Sequence, residues 1–397
     1  MPKLSSEFRL AAACCAWPPS PERDSAVRAL AAGADWAAFL TVARRQRVEG
    51  LVSHALRRAE VSLPASIQSE LALTAAAIAR GNLAYAAESR HIHQAFVAAG
   101  LSHLFVKGAT LDMLAYRSLG LKRARDIDMV VDPESVERAC ALLSELGYVR
   151  TVPGPEIDEA RFPIWVKLCK ETNWQHRRSG TVVELHSQLV DNADLLPGIG
   201  ARSPSQIVEI GTGMTLPTLR NEELFAYLCV HGATHAWSRL KWIADVAAFL
   251  ARFEPAEVER LYRASLDLGV GRCSAQALLL CRQLFDTPVS LPLLRELQGE
   301  RATRMVVRLA LGVMAGGRSA ELDDTVLGTV PIHLSHFFLG RGLRYKGGEL
   351  GRKLRNHDDQ VRFDLPPFLH FLYPLISVPS WLYRRVRGPG VAVGSRP

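Results

Sequence analysis

Residues 123–131 read "RARDIDMVV" and place two aspartates, Asp126 and Asp128, on either side of Ile127 at the start of an apolar run. Carboxylates are rarely buried in a strand without a partner, because removing a charge from water is costly. Side chains alternate between the two faces of a strand. Both aspartates should therefore project from one face, about 6.5–7 Å apart, while Ile127 faces the core. This spacing predicts a shared site for a divalent cation, Mg²⁺ or its substitute Mn²⁺.

The chain on either side of this stretch alternates between short apolar runs and helical patterns. "HLFVKG" (103–108) has the length and composition of a buried strand, and residues 109–120 have helical periodicity. "WVKLCKETNWQHR" (165–177) and "TVVELHSQL" (181–189) flank the turn "RSG" and are typical of a hairpin. This part of the chain therefore predicts a small mixed sheet with helices between its strands.

Helical patterns dominate the rest of the chain. Residues 22–95, and the chain from residue 221 onward, carry apolar residues at three- and four-residue spacing, the period of amphipathic helices. We therefore predict an α+β fold, with a small mixed sheet and its flanking helices between two helical regions. The expected division is an N-terminal helical region at 1–95, a mixed-sheet core at 96–215, a helical domain at 216–325 and a basic, aromatic C-terminal segment at 326–397.

A third carboxylate occurs in a similar strand-like setting. "VVELH" (182–186) places Glu184 after two valines. If this strand lies beside 126–131 in the sheet, Glu184 joins Asp126 and Asp128 in one acidic cluster. Three such carboxylates repel one another unless cations neutralise them. The cluster is therefore a predicted metal site.

The segment "VKGAT" (106–110) predicts a phosphate-binding turn. It ends one strand and opens a helix, where backbone N–H groups bind phosphate, and Gly108 allows close approach to the main chain. Lys107 adds a cation and Thr110 a hydroxyl. Two further cations just before the aspartates are expected to contact a nucleotide or its phosphates. These are Arg123 and Arg125.

Each of these assignments has a structural alternative. Asp126 and Asp128 can equally form a strand end that is neutralised by neighbouring cations. Those cations are Lys122, Arg123 and Arg125. Glu184 can lie on a solvated face of the hairpin, and Lys107 can extend over the surface from a strand-to-helix turn.

Histidines suggest supporting roles around the acidic cluster. His231 and His235 are four residues apart and share one helix face, and His186 closes the strand "VVELH". With His186 or Asp245 they could bind zinc, but the sequence has no H-E-x-x-H and no further ligand at a motif-like spacing. Three roles therefore stay open for these histidines: contact with the substrate, support of the metal ligands, and a purely structural role.

Charge and cysteine content limit the classes of partner. The formal net charge is +8, and residues 341–396 alone hold eleven Lys or Arg against four acidic residues. The remainder is nearly neutral, which argues against nucleic acid as a general partner. Seven cysteines without a C-x-x-C pair are typical of reduced core thiols and predict a cytoplasmic protein.

The C-terminal segment combines aromatic and basic residues. Residues 365–387 include "LHFLYPLISVPSWLYRRVR", in which Pro374 and Pro379 argue against a continuous helix. Such a segment can lie on an anionic membrane surface or against a protein partner. Docking onto the protein's own core or onto a protein partner is the interpretation we favour over membrane contact.

The blocks "GAT", "DIDMVV" and "VVELH", in this order, resemble the nucleotidyltransferase superfamily that includes DNA polymerase beta. More closely, K-G, a basic residue before D-I-D, E-L-H and the later "HGATHAWSRLKWIADVAAFL" resemble a large bacterial family of uncharacterised nucleotidyltransferases. The resemblance covers about residues 95–250 and extends weakly to the C-terminus. Two departures are Ala109, where the superfamily has serine, and Glu184, where it more often has aspartate.

This resemblance implies that the mixed-sheet core is a nucleotidyltransferase catalytic core. The expected reaction moves a nucleoside monophosphate from a nucleoside triphosphate, such as ATP, to an unidentified hydroxyl acceptor and releases pyrophosphate. Asp126 and Asp128 would hold the metal bound to the triphosphate. Glu184 would help to hold the metal that activates the acceptor, and would act as its base. The alternatives are a catalytically weak regulatory member that binds nucleotide or a partner, and a peripheral membrane or scaffold protein that uses the basic tail.

Overall fold

The computed structural model describes residues 4–155, 157–316, 330–354, 357–363 and 365–386. Five helices precede the sheet, as the Ala-rich apolar periodicity predicts. They are α1 (Ser6–Cys14), α2 (Pro21–Ala31), α3 (Trp36–Gln46), α4 (Glu49–Arg58) and α5 (Ala65–Ala98). Side chains at the N-caps of the first three helices accept backbone hydrogen bonds. The capping residues are Ser5, Ser20 and Asp35.

A five-stranded mixed sheet follows, as predicted. Its strands are β1 (His103–Phe105), β2 (Ile127–Val131), β3 (Tyr148–Val152), β4 (Glu171–His176) and β5 (Val182–His186). The spatial order is β1-β2-β5-β4-β3. The β2–β5 pair is parallel and the other three pairs are antiparallel. Together with the flanking helices, this sheet confirms the predicted α+β class.

Three helices connect these strands. They are α6 (Ala109–Tyr116), α7 (Val136–Glu145) and α8 (Phe162–Leu168). The prediction that residues 165–168 belong to the hairpin was wrong, since the strand begins only at Glu171. Pro163 occupies the first turn of α8, where no backbone N–H is needed, and the side chains of Phe162 and Trp165 are buried on one helix face.

A second hairpin was not expected from the sequence. It consists of β6 (Ser205–Gly211) and β7 (Met214–Leu219), and it packs against β1 and α6. Pro217 lies within β7, and proline normally argues against a strand because it cannot donate to the ladder. A two-stranded ribbon provides edge positions at which proline is tolerated.

Helices again dominate the C-terminal part of the described chain. They are α9 (Asn221–Thr234), α10 (Leu240–Leu250), α11 (Pro255–Asp267), α12 (Gly271–Phe285), α13 (Leu291–Gly299), α14 (Arg301–Ala315), α15 (Val330–Ser335), α16 (Gly342–Leu354), α17 (His357–Phe363) and α18 (Tyr373–Val386). The α18 helix continues through Pro379, so the expectation that proline would break it was wrong. No helix among the described residues is long and apolar enough to cross a membrane.

The C-terminal segment exposes large apolar side chains. Phe368, Phe371 and Leu375 are each about 70% exposed, whereas Tyr373 is buried. Residue 387 and the side chains of residues 381–386 lie outside what the structure describes. The interpretation of 365–387 as a docking or membrane-contacting segment stays a prediction.

The sheet separates two apolar cores. Ile127 and Met129 point into one core, which α5 and α7 cover. Val130 and Leu104 point into the other, which also contains residues of the N-terminal helices and of α9, α10 and α12. The N-terminal and C-terminal helices therefore pack together on the face of β2 that also bears Asp128. This packing determines which side chains can reach the sheet from outside.

The loop between α6 and β2 is fixed by side chains from α5. Asn82 is buried, and its amide donates to the carbonyl groups of Leu119 and Lys122 while its carbonyl accepts from the N–H of Ala124 at 2.8 Å. Tyr85 donates to the carbonyl of Arg125 at 2.6 Å. These four hydrogen bonds hold the backbone of the loop at Leu119, Lys122, Ala124 and Arg125, just before Asp126.

A buried ionic cluster ties the same loop to α6 and α10. The Lys122 ammonium lies 2.8 Å from Asp112 and 2.9 Å from Asp245, and Tyr116 donates to Asp245 at 3.0 Å. All four side chains are nearly excluded from water. Lys122 is therefore a partner of these two carboxylates rather than a cap for the strand end. Asp245 is likewise engaged here, not in a zinc site.

Candidate functional site

The centre of the site lies on neighbouring parallel strands. Asp128 on β2 is the cross-strand partner of Glu184 on β5, and His186 follows two positions later on the same face. The His186 Nε2 atom lies 3.5 Å from Asp128 Oδ1 and 3.8 Å from Glu184 Oε2. One ligand atom from each of the three residues lies within 4.8 Å of the others. This arrangement could hold a metal ion.

Asp126 lies beside this group but just outside the strand. The sequence predicts both aspartates on one strand, whereas β2 begins at Ile127. Asp126 is only partly buried, and Asp128 is almost completely buried. Burial and the adjacent Asp128 charge raise the pKa of Asp126. The two carboxylates are therefore close enough to repel each other, as the sequence pattern indicated.

One ammonium group neutralises part of this negative charge. Lys107 Nζ lies 2.6 Å from Asp128 Oδ1. Burial opposes the ionisation of Asp128. Lys107 and His186 nevertheless hold the pKa of Asp128 well below its ordinary value. Glu184 shows the opposite behaviour, since burial and the charges of Asp128 and Asp126 raise its pKa to about 9. The three carboxylates thus lack a full complement of positive charge, which a divalent cation would supply.

Glu171 completes the polar surface, and the sequence analysis missed it. It is the direct cross-strand partner of His186, with Oε2 at 3.3 Å from His186 Nδ1. Lys170 Nζ lies 2.8 Å from the same oxygen. Burial opposes ionisation, yet Lys170 and His186 lower the pKa of Glu171 to about 2. The only available signal was the strand alternation, which puts Glu171 and Asn173 on one face of "ETNWQH".

The predicted phosphate-binding turn lies at the same end of the sheet. Gly108 precedes α6 with φ 63° and ψ −134°, a conformation that is nearly exclusive to glycine. A small open pocket begins here. Residues that line it include Asn82, Tyr85, Lys107, Gly108, Ala109, Asp126 and Asp128.

The other predicted phosphate contacts are placed less directly. Thr110 is buried, and its hydroxyl donates to the carbonyl of Lys107 at 3.1 Å, so it stabilises the turn from inside. Arg123 and Arg125 lie in the loop between α6 and β2, and their side chains are exposed. The structure therefore joins Lys107 and Gly108 to the acidic cluster but does not bring the Thr110 hydroxyl into the pocket.

His231 and His235 face the cluster from α9 and its C-terminal end. Their ring centroids are 4.9 Å apart, and His235 stacks on Trp242 at 4.9 Å. Burial, reinforced by Lys170 and Lys107, lowers the pKa of His235 to about 3, so this ring is neutral at physiological pH. Among the described residues, neither histidine belongs to a group with metal-binding geometry.

Further cations approach from elements distant in sequence. Burial and Lys122 lower the pKa of Lys241, on α10, to about 8, while Asp126 favours its charged form. Arg47 follows Gln46, whose side chain accepts a hydrogen bond from the N–H of Leu240 at 2.7 Å. This contact brings the end of α3 to the start of α10. No local sequence pattern predicts either cation as part of the site, because helix packing alone brings them near Asp126.

Comparison with known families agrees with this geometry. Residues 32–286 match the family described as uncharacterised nucleotidyltransferase, and this range contains every residue of the cluster and pocket described above. No curated protein is significantly similar to the chain. Since the family match covers more than half of the 397 residues, the chain belongs to this nucleotidyltransferase family and is a transferase of that class.

Proposed function

We propose that the protein transfers a nucleoside monophosphate from a nucleoside triphosphate, ATP among the candidates, to a hydroxyl acceptor and releases pyrophosphate. The observation that carries this proposal is the convergence of buried Asp128 and partly buried Glu184 with the Gly108 turn at one end of the sheet. Carboxylates and a helix N-terminus together suit a triphosphate and its cation. Family membership supports the same class of reaction.

The residues present fit a divalent cation. Asp128 and His186 are each less than about 5% exposed, and neither ring nitrogen of His186 has a hydrogen-bond partner among the described residues. Asp128, Glu184 and Asp126 would hold the ion or ions. A bound cation would neutralise phosphate charge and lower the pKa of a coordinated hydroxyl.

The chain's own groups account for the remaining steps. Backbone N–H groups after Gly108 and the ammonium of Lys107 bind and orient the phosphates. The acceptor oxygen forms a bond to the α-phosphorus, while the bond from that phosphorus to the bridging oxygen breaks and pyrophosphate leaves with the electron pair. Glu184 would accept the hydroxyl proton, because its carboxylate lies among the residues that would hold the cation.

An assay of pyrophosphate release tests this function. The full chain is incubated with each α-labelled nucleoside triphosphate, with Mg²⁺ or Mn²⁺, and with small polyols, sugars, protein and RNA ends as acceptors. We expect labelled product and stoichiometric pyrophosphate with one acceptor class. Glu134→Gln, which alters an exposed carboxylate near β2, should behave as wild type. Nucleotide binding without transfer to any acceptor would contradict the proposal and favour a regulatory member.

Gly108→Ala should weaken nucleotide binding more than it weakens the fold. A Cβ at this position meets no atom within 4 Å, so the fold has room for it, but φ +63° is strained for alanine. The backbone cost is about 1–3 kcal/mol. The methyl group would also stand where phosphate approaches the main chain. Calorimetric titration of the triphosphate checks this expectation, and Gly213→Ala, another positive-φ glycine without close neighbours, is the matched control. Equal affinity in wild type and Gly108→Ala would contradict a phosphate role.

A further inference from the structure

His186 is as deeply buried in the cluster as Asp128 is. Only 2% of the residue is exposed. Its two ring nitrogens face different carboxylates: Nδ1 faces Glu171 at 3.3 Å, and Nε2 faces Asp128 at 3.5 Å and Glu184 at 3.8 Å. Neither nitrogen has a hydrogen-bond partner among the described residues. A buried imidazole in this state is an available ligand.

We propose that His186 Nε2 is a direct metal ligand, that Glu171 positions it, and that the resulting nitrogen–oxygen centre favours Mn²⁺ over Mg²⁺. This inference rests on the proposed function, because it concerns the same cation site. It differs from the sequence-based expectation, in which carboxylates alone bind Mg²⁺, with Mn²⁺ as a substitute. His186 then acts on the ion itself rather than as a support for its ligands.

Glu171 determines which nitrogen of His186 is available. The two residues are direct cross-strand partners, so the hairpin register fixes their proximity. Lys170 Nζ lies 2.8 Å from Glu171 Oε2. This ion pair keeps the Glu171 carboxylate negatively charged beside the ring. With a cation bound, a carboxylate at Nδ1 would keep the ring proton on that nitrogen and leave the Nε2 lone pair for the ion, between Asp128 and Glu184. Metal-binding histidines usually have such a partner at the other nitrogen.

The mixed ligand set has a consequence for metal choice. Mg²⁺ prefers oxygen ligands in strict octahedral geometry and loses its water reluctantly. First-row transition ions accept imidazole nitrogen together with carboxylate oxygen. An Asp128, Glu184 and His186 triad therefore discriminates against Mg²⁺. The carboxylates supply most of the charge, and the imidazole supplies the selectivity.

Metal binding by the full chain tests the inference without an activity measurement. Mn²⁺ binding is followed by electron paramagnetic resonance, and Mg²⁺ by its competition with Mn²⁺. Pulsed resonance reports a ¹⁴N nucleus coupled to bound Mn²⁺. We expect wild type to prefer Mn²⁺ by about 10-fold or more and to show an imidazole ¹⁴N coupling. Loss of a ligand or its positioning partner typically weakens binding about 10–100-fold.

Four variants at three positions separate the ligand, the positioning residue and a control. His186→Asn should lose the ¹⁴N coupling and most of the preference for Mn²⁺. Glu171→Leu should weaken Mn²⁺ binding, and Glu171→Gln, which keeps an acceptor oxygen, should restore part of it. His176→Asn lies on the same hairpin, where its Nδ1 accepts from the N–H of Ser179 at 3.1 Å, and should leave metal binding unchanged.

The outcomes distinguish this inference from the proposed function. Equal Mn²⁺ and Mg²⁺ affinity without ¹⁴N coupling in wild type would overturn the inference and leave the cation site intact. Failure of wild type to bind either ion, with or without nucleotide, would overturn both. If His186→Asn does not fold, the wild-type spectrum and the two Glu171 variants still show whether His186 is a metal ligand.

Discussion

Asp128→Asn should reduce nucleotidyl transfer at least about 10³-fold while the fold remains intact. A charged metal ligand contributes several kcal/mol of transition-state stabilisation, and each 1.36 kcal/mol corresponds to about tenfold in rate. Asparagine has the same shape but carries no charge. Asp128 is also the carboxylate closest to Lys107, at 2.6 Å. Single-turnover transfer rates at saturating metal and nucleotide measure the effect.

Two comparisons make this result specific to the site. Circular dichroism and thermal unfolding should show a folded protein whose stability falls modestly, because Lys107 loses its nearest counter-charge. Lys107→Met/Asp128→Asn should recover part of that stability but none of the transfer activity. Glu134→Gln provides the surface control. Wild-type rates in Asp128→Asn, measured with saturating metal, would remove Asp128 from the metal site. Asp126→Asn should change the rate in the same direction.

Lys122→Met should lower the free energy of unfolding by about 3–5 kcal/mol, the usual cost of removing one partner from a buried ion pair. The substitution keeps the volume of the side chain but leaves Asp112 and Asp245 buried without their shared cation. Burial already raises the pKa of Asp112 to about 6, even with Lys122 present. Urea denaturation at pH 5 and at pH 8 measures the loss.

The sign of the pH dependence follows from proton linkage. Without Lys122, the folded protein binds a proton at Asp112 more tightly than the unfolded chain does, so stability falls as pH rises. The defect should therefore be larger at pH 8 than at pH 5. Arg263→Met, which breaks a pair with Glu296 that is nearly half exposed, should cost less than about 1 kcal/mol. A defect in Lys122→Met no larger than this control would contradict the assigned role of the buried cluster.

Local sequence patterns predicted the part of the site that depends on one strand. The alternation in "DIDMVV" places Ile127 and Met129 in one core and Asp128 on the opposite face. Alternation is a property of the extended backbone, so no information from other parts of the chain is needed. The Gly108 turn was predictable for the same reason, because a strand, a glycine and a helix follow one another directly.

The role of Glu184 required one further condition. Its approach to Asp128 depends on the pairing of β5 beside β2, and residues 127 and 183 are far apart in the chain. The prediction that Glu184 joins the two aspartates was conditional on this pairing, and the structure contains the pairing. The beginning of the β4–β5 hairpin was not predicted, because the packing of Phe162 and Trp165 outweighs the local preference for a strand. The β6–β7 ribbon was not predicted, because Pro217 argues against a strand except at an edge position.

From the amino-acid sequence alone one could predict the α+β class, the helical flanks, the two aspartates beside an apolar strand and the resemblance to a nucleotidyltransferase family. These features depend on short-range periodicity and on motifs of a few residues. Strand register was needed to bring Glu171 to His186, and helix packing was needed to bring Lys122 between two carboxylates and to let the charge of Asp126 act on Lys241. Such contacts depend on strand register and helix packing, where a shift of one residue would turn each side chain to another face.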